Sequence, residues 1–93
     1  MGAVKLAVVQ SDPAFGAVRE NVAAALALID GAEADVFVLP ELFNTGYNFA
    51  EAAEVEALAE PADGPTFTAM TAAAIATSSI ISSFCCMGNC VAA

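Results

Sequence analysis

Positive charge is nearly absent from this sequence. Lys5 and Arg19 are its only basic residues, whereas eleven residues are acidic, so the net charge of the 93 residues is −9. Proteins that bind nucleic acid or anionic membrane surfaces present clusters of Lys and Arg. The composition therefore disfavours both kinds of partner, and the acidic residues are interpreted as solubilising the outward faces of helices.

A secretory leader and a membrane anchor are not predicted either. After Lys5 only a short apolar stretch precedes Asp12, with no small-residue cleavage site behind a proper apolar region. The run from Gly64 to Ala93 is uncharged, but Thr, Ser, Gly and Asn interrupt it. A spanning helix needs about 20 predominantly apolar residues. We therefore expect a cytoplasmic protein without a membrane partner.

Glycine is scarce where a nucleotide cofactor would need it. Residues 11–16 contain one glycine, Gly16, and lack the spaced glycines of a dinucleotide-binding loop. A metal site would have to use four glutamates whose spacing does not bring them to one face and which no Asp-rich loop surrounds. These glutamates are Glu51, Glu54, Glu56 and Glu60. The sequence predicts neither a cofactor nor a metal.

The three cysteines, Cys85, Cys86 and Cys90, are clustered near the carboxyl terminus. Their odd number and the absence of an extracellular context disfavour a disulfide framework. A zinc site is disfavoured because the chain has no histidine and adjacent cysteines fit one tetrahedron poorly. None has a basic neighbour that would favour the thiolate, so a nucleophilic role is disfavoured as well. We interpret them as reduced thiols whose role stays open.

Length and composition bound the fold. A chain of 93 residues makes one small domain at most. Its hydrophobic fraction of 59% exceeds the roughly 45–50% of ordinary globular proteins, and much of it is alanine. So much apolar surface on so short a chain indicates that the surface of a partner is missing.

The first 40 residues predict a β-α-β unit of an α/β fold. Val4–Val9 and Val36–Leu39 are near-continuous apolar runs, typical of strands that are covered on both faces. Helical spacing from Val18 to Asp30 predicts a helix that ends at Gly31. Its apolar stripe comprises Val18, Val22, Leu26 and Ile29. The two strands should be parallel, with a right-handed crossover, and Phe15 between them should pack rather than bind.

The next forty residues predict two helices and a third strand. A short exposed helix is expected within residues 49–60, followed by a turn at residues 61–65. Thr66 is predicted to cap a second helix that extends to about Ala76. The inner residues of that helix should be Phe67, Met70 and Ile75, and residues 79–81 should begin the third strand.

Glu41 is the candidate for chemistry. It follows Pro40, which has no N–H for a sheet and should end the second strand. Ligands of open α/β sheets bind at the carboxyl ends of the strands. A glutamate after a strand is more often a solvated loop residue, but the apolar Leu42 and Phe43 predict a partly desolvated carboxylate. Residues 44–47 predict a tight turn with a positive φ at Asn44 or Gly46.

The segment Leu39-Pro40-Glu41-Leu42-Phe43-Asn44-Thr45-Gly46-Tyr47 resembles the motif around the catalytic glutamate of the nitrilase superfamily, the carbon–nitrogen hydrolases. Residues 4–10 are similar to the first strand of that family, and Asn21 stands where its first helix commonly carries an asparagine. The resemblance runs from about Val4 to Ile81. It implies that Glu41 is the general base and that the complete fold is a four-layer α-β-β-α sandwich, of which this chain is a β-α-β-α fragment.

The resemblance also implies a reaction. In this family a cysteine thiolate attacks an amide or nitrile carbon, a glutamate moves protons, and a lysine stabilises the charge of the tetrahedral intermediate. The implied substrate is a small amide, carbamoyl compound or nitrile. Only the glutamate has a match here, because Lys5 lies in the first strand. We therefore expect an inactive polypeptide. The resemblance also implies a possible homo-oligomer, since members of the family commonly form homo-oligomers.

The resemblance fails after Ile81. We expect residues 1–81 to be the amino-terminal part of the hydrolase domain and residues 82–93 to be a divergent tail, arising from a truncated or frame-shifted coding sequence or from an expressed fragment. The alternative function is a non-catalytic α/β interaction module, which binds another chain through an exposed edge of its sheet. The identity of the substrate, the oligomeric state and independent folding stay open.

Overall fold

The computed structural model of this protein describes residues 3–61 and 63–82. Three strands and three helices follow one another in these residues: β1 (Leu6–Val8), α1 (Val18–Asp30), β2 (Val36–Val38), α2 (Ala52–Leu58), α3 (Pro65–Thr77) and β3 (Ile80–Ser82). The predicted α/β class and the predicted order of elements are confirmed. The predictions for Cys85, Cys86 and Cys90 and for the tail from residue 83 onward lie outside the described residues.

The three strands form one parallel sheet in the order β1-β2-β3. Leu6 is paired with Val36, and Val36 in turn with Ile80, so that the strands run in register. The predicted parallel pairing of the first two strands is confirmed. Strands β1 and β2 are shorter than their apolar runs, although the ladder continues past β2 where the Leu39 amide donates to the Ser82 carbonyl at 3.0 Å.

Helix α1 has the predicted bounds, and Gly31 is its carboxyl-terminal cap. The φ of Gly31 is −81°, so any residue could adopt its backbone conformation. The predicted apolar stripe is displaced: Asn21, Ala25 and Ile29 are the buried residues of the helix, while Val22 and Leu26 are half-buried. The displacement arises because alanine at position 25 brings the helix close to the sheet, and Asn21 finds hydrogen-bond partners inside.

One face of the sheet carries the core. Alternate strand residues point to the same side of a sheet, and the side that α1 and α3 cover is buried. Phe37 and Ile81 are 1% and 2% exposed there, and Met70 of α3 packs into the same cluster at 2%. The core also includes Val9, Ala25, Ile29, Leu39 and Phe43.

The other face, which we call the open face, is formed by Leu6, Val8, Val36, Val38, Ile80 and Ser82. The prediction that strands β1 and β2 are covered on both sides is wrong for the described residues. Leu6 is 61% exposed, Val8 69% and Ile80 57%. Alternate residues of each apolar run are therefore buried on one face and exposed on the other, because the helices pack on one face only.

Helix α2 is short and exposed, as predicted, with no buried residue. It begins with a capping box, in which the Glu51 carboxylate accepts from the Glu54 amide and the Glu54 carboxylate accepts from the Glu51 amide at 3.0 Å; Glu54 also accepts from the Ala50 amide at 2.7 Å. These bonds satisfy free donors at the start of the helix. Two of the four glutamates that were considered as metal ligands therefore have a structural role in the helix.

Two predictions for α3 are wrong. Its amino-terminal cap is Gly64, not Thr66, which lies inside the first turn and is 2% exposed. Ile75 is 74% exposed, because it is five residues after the buried Met70 and falls off the three-and-four spacing of one helix face. Ala73 and Ala74 hold the inward positions instead. Phe67 is half-buried against the core, as expected.

Candidate functional site

Glu41 lies at the carboxyl end of the central strand. It follows β2 and Pro40, and the parallel strands β1 and β3 end at the same level, since Val8, Val38 and Ser82 are in register. The Glu41 side chain is exposed, so the predicted partial desolvation of its carboxylate is wrong. Open α/β sheets bind their ligands at this carboxyl end of the strands.

The chain reverses direction immediately after Glu41. Leu42 adopts a φ of 56° and Gly46 a φ of 81°, and the Gly46 amide donates to the Leu42 carbonyl at 2.9 Å. We call residues 41–46 the glutamate turn. The positive φ predicted for Gly46 is confirmed, the alternative at Asn44 is not realised, and the one at Leu42 was not expected.

The left-handed Leu42 explains why the apolar neighbours do not desolvate Glu41. In an extended chain, residues two apart point to the same side, which would place Glu41 and Phe43 together. Here Phe43 is fully buried while Glu41 is exposed. Because a left-handed conformation costs a residue with a Cβ roughly 1–2 kcal/mol, burial of the Phe43 ring is the compensating gain.

Asn21 of α1 fastens the glutamate turn to the preceding connection. Its Nδ2 donates to the carbonyl oxygens of Asn44 and Ala14, each at 2.8 Å, and its Oδ1 accepts from the Ala14 amide at 2.9 Å. Asn21 is 7% exposed; its bond to Asn44 is buried, and its two bonds to Ala14 are partly buried. A buried amide with its donors and its acceptor satisfied joins three segments of chain in one arrangement.

The connection between β1 and α1 packs directly on the glutamate turn. The Gly16 amide donates to the Thr45 carbonyl at 2.8 Å. Phe15 makes an edge-to-face contact with Phe49, with ring centroids 5.1 Å apart and planes at 89°, which confirms that Phe15 packs. The turn that carries Glu41 is thus fixed by backbone bonds and by aromatic packing.

Sequence reasoning missed Glu60, which it grouped with exposed glutamates. The Glu60 carboxylate accepts from the Thr66 amide at 2.7 Å and from the Thr66 hydroxyl at 2.6 Å. An available indication was the acidic residue shortly before Pro65, since anions stabilise a helix amino terminus and proline favours its first position. Asn44, considered only for its φ, is buried and donates to Thr66 Oγ1 at 3.4 Å.

The two basic residues lie at opposite ends of the sheet. Lys5 immediately precedes β1, one residue outside the strand in which it was predicted, and therefore stands at the amino end of the sheet. Its amide is fixed by the Asp35 carboxylate at 2.8 Å. Arg19 is exposed on the first turn of α1. Lys5 therefore stands at the opposite end of the sheet from Glu41, whereas the turn of α1 that carries Arg19 lies at the same end as Glu41.

A cavity of about 510 Å³ opens at the opposite end of the sheet from Glu41. Lys5, Glu33 and Asp35 are among the residues that line it, and Glu41 is not. These residues precede β1 and β2, whereas ligand sites of open parallel sheets lie beyond the carboxyl ends of their strands. We therefore place the candidate site at Glu41 and not at this cavity.

Neither a cluster of metal-ligating side chains nor a helix able to span a membrane occurs in the described residues. Within residues 3–61 and 63–82, no three His, Cys, Asp or Glu side chains come together as metal ligands would. Every helix in these same ranges falls short of the length and apolarity that crossing a membrane requires.

Comparison with known proteins identifies the family. The family model of the carbon-nitrogen hydrolases matches residues 5–86, which include every strand and helix described above and the glutamate turn. The match continues past Ile81, where the resemblance was predicted to end, to Cys86. A comparison with curated proteins finds no match. The chain belongs to the carbon–nitrogen hydrolase family.

Proposed function

We propose that this chain is the amino-terminal part of an amidase-type hydrolase that cleaves a non-peptide C–N bond in a small amide, carbamoyl compound or nitrile. The observation that carries the proposal is the position of Glu41. It lies at the carboxyl end of the central parallel strand, within the segment that the family model matches. Its exposed carboxylate is accessible to a substrate and to a thiol brought to that edge.

In the proposed reaction Glu41 moves protons. As a base, its carboxylate takes the proton of the attacking thiol, so that the sulfur can form a bond to the amide or nitrile carbon. It then gives that proton to the departing nitrogen, and repeats the transfer with the water that releases the acid product. A carboxylate on a short, braced turn suits this role, because the transfers require one group to reach two partners in turn.

The proposed complete architecture is the four-layer α-β-β-α sandwich. Helices α1 and α3 and the sheet supply two adjacent layers, and the open face supports the presence of a second sheet against it. Sheets that pack face to face bury apolar residues such as Leu6, Val8 and Ile80. The proposed location is the cytoplasm, and the proposed assembly is a homo-oligomer, with neither nucleic acid nor membrane as a partner.

The first prediction is that the 93-residue polypeptide on its own does not hydrolyse amides or nitriles. Lys5, the single lysine of the sequence, precedes β1 at the opposite end of the sheet, so no lysine lies beside Glu41 to stabilise the charge of the intermediate. The measurement is product formation from a panel of small amides, carbamoyl compounds and nitriles. Turnover that Glu41→Gln abolishes would contradict it.

The proposal itself is tested in a chimeric enzyme. Residues 5–82 replace the corresponding segment of an active carbon–nitrogen hydrolase, which then supplies the lysine and the cysteine. We expect the folded chimera to hydrolyse the substrate of its parent, because Glu41 would occupy the position of the general base. A chimera that folds, shown by its circular dichroism and cooperative melting, and yet gives no turnover would contradict the proposal.

A second candidate function is the non-catalytic interaction module, with the open face as its binding surface in place of the sheet edge that the sequence suggested; the exposure of this face is the observation that favours it. If this face binds protein, the chain should associate with rising concentration in sedimentation velocity. Leu6→Lys should abolish the association, and Leu28→Lys, at a residue 48% exposed on α1, should not. A monomer at every concentration, together with an active chimera, would remove this alternative.

A further inference from the structure

Glu60 makes the two shortest side-chain bonds to α3. Its carboxylate oxygens accept separately from the Thr66 amide, at 2.7 Å, and the Thr66 hydroxyl, at 2.6 Å. Bonds to an ionised acceptor are shorter and stronger than neutral ones. The Thr66 amide is also one of the donors that a helix leaves free in its first turn. Glu60 therefore sets the position and the direction of the Thr66 hydroxyl.

The direction of that hydroxyl decides what Asn44 can do. A carboxylate only accepts hydrogen bonds, so the Thr66 hydroxyl has to donate its proton to Glu60 and is left with lone pairs. Asn44 Nδ2 donates to these lone pairs at 3.4 Å. Thr66 and Asn44 are 2% and 1% exposed, so water does not compete for this contact. The charge on Glu60 therefore fixes the orientation of a buried amide in the glutamate turn.

The turn is thereby held from two helices at once. Asn21 Nδ2 of α1 donates to the Asn44 carbonyl at 2.8 Å, and Thr66 of α3 receives the Asn44 side chain. Asn44 is three residues from Glu41 in the same turn. Resting on the proposed function of Glu41, we infer that Glu60 is a positioning residue for the catalytic carboxylate, acting through Thr66 and Asn44.

Space for this arrangement depends on Gly64. A Cβ at position 64 would lie 3.1 Å from both Cβ and Oε1 of Glu60 and 3.0 Å from the Pro61 carbonyl oxygen. Such distances are tighter than ordinary carbon contacts, so a side chain there would push the Glu60 side chain by a few tenths of an ångström. The glycine that caps α3 is therefore also what lets Glu60 fold back on the helix.

The test compares two neutralising substitutions in the 93-residue chain. Glu60→Gln replaces one acceptor oxygen by a donor that competes with Asn44 for Thr66, whereas Glu56→Gln makes the same change of charge at an exposed residue of α2. Hydrogen exchange is followed at the Gly46 amide, which bonds Leu42 within the turn, and at the Val9 amide, which bonds Val38 in the sheet. The Asn44 side-chain amide resonances report the orientation directly.

We expect Glu60→Gln to speed exchange at Gly46 about tenfold or more, to shift the Asn44 amide resonances, and to leave the Val9 amide protected. Glu56→Gln should change none of these. Thr66→Val, which removes the hydroxyl, should behave like Glu60→Gln, and Thr66→Ser should restore the wild-type behaviour. This rescue separates the hydroxyl link from the packing of the side chain.

Two results would overturn the inference. Unchanged exchange at Gly46 and unchanged Asn44 resonances in Glu60→Gln would show that the link does not hold the turn. Equal acceleration at Gly46 and Val9 would show that Glu60 stabilises the whole fold and not this turn. The proposed function is tested separately in the chimera, where loss of turnover in Glu41→Gln with full turnover in Glu60→Gln would remove the positioning role alone.

Discussion

Glu41→Gln in the chimera should lower kcat by roughly 10²- to 10⁴-fold, the range in which a positioned acid–base group contributes to a reaction. Glutamine has the size of glutamate and keeps one hydrogen-bond acceptor, but it cannot take a proton from a thiol. Because the Glu41 side chain is exposed and makes no hydrogen bond within residues 3–61 and 63–82, the substitution should leave the melting temperature unchanged. KM should change little, since the transfers occur in the transition states.

The matched control for this measurement is Glu33→Gln. Glu33 is exposed as well, but it lines the cavity at the amino end of the sheet and lies away from the glutamate turn. Glu33→Gln changes the net charge by the same amount as Glu41→Gln, so any general electrostatic effect on kcat appears in both variants. Equal kcat values for the two variants would show that Glu41 carries no proton in the reaction.

Gly46→Ala should destabilise the chain by roughly 2–5 kcal/mol, a large part of the stability of so small a domain. Gly46 has a φ of 81°, and an L-residue pays roughly 1–2 kcal/mol to adopt such a conformation. In addition, a Cβ at this position would lie 3.1 Å from Phe15 Cα and 3.3 Å from its nitrogen. Because these are backbone atoms, they cannot move aside as a side chain would, and overpacking adds roughly 1–3 kcal/mol to the cost of the substitution.

Gly16→Ala supplies the comparison, because Gly16 has nearly the same conformation, with a φ of 76°, and nothing within 4 Å of the position of its Cβ. We expect it to show the conformational cost alone, roughly 1–2 kcal/mol. Urea unfolding of both variants against the wild type measures the difference. If the two substitutions cost the same, close packing of the turn on Phe15 contributes nothing to stability.

Local patterns were sufficient for most of the fold. Helix α1 begins and ends as predicted because its helical apolar spacing extends from Val18 to Asp30, although Gly31 has a φ of −81° that any residue could adopt. The parallel pairing of β1 and β2 follows from a helix of that length between two apolar runs. These predictions depend only on residues that are near one another in the chain.

The predictions that failed depend on what lies beside a residue in space. Whether Leu6 and Val8 are covered is decided by the side on which α1 and α3 pack, and an unbroken apolar run does not indicate that side. Ile75 is apolar and on a helix, yet it faces outward because alanines fill the inward positions of α3. Helix propensity and apolar periodicity do not indicate which of two apolar residues on a helix fits better against the core.

The candidate site was predictable in position and not in its support. Glu41 could be placed from Pro40 and the apolar strand before it, and the structure puts it at the sheet edge. The left-handed Leu42 could not be foreseen, since its cause is the burial of Phe43 in a core built from distant residues. The links of Asn44 to Asn21 and Thr66 join residues 23 and 22 positions apart, beyond the range of any local pattern.

The open face determines how the protein behaves as a solute. One side of the sheet presents aliphatic side chains to water, while the net charge of −9 makes copies repel one another. This repulsion acts over a range that shrinks to about 8 Å at physiological ionic strength, whereas apolar attraction is not screened by salt. We therefore expect added salt to promote self-association through the open face, and buffer of low ionic strength to keep the protein from aggregating.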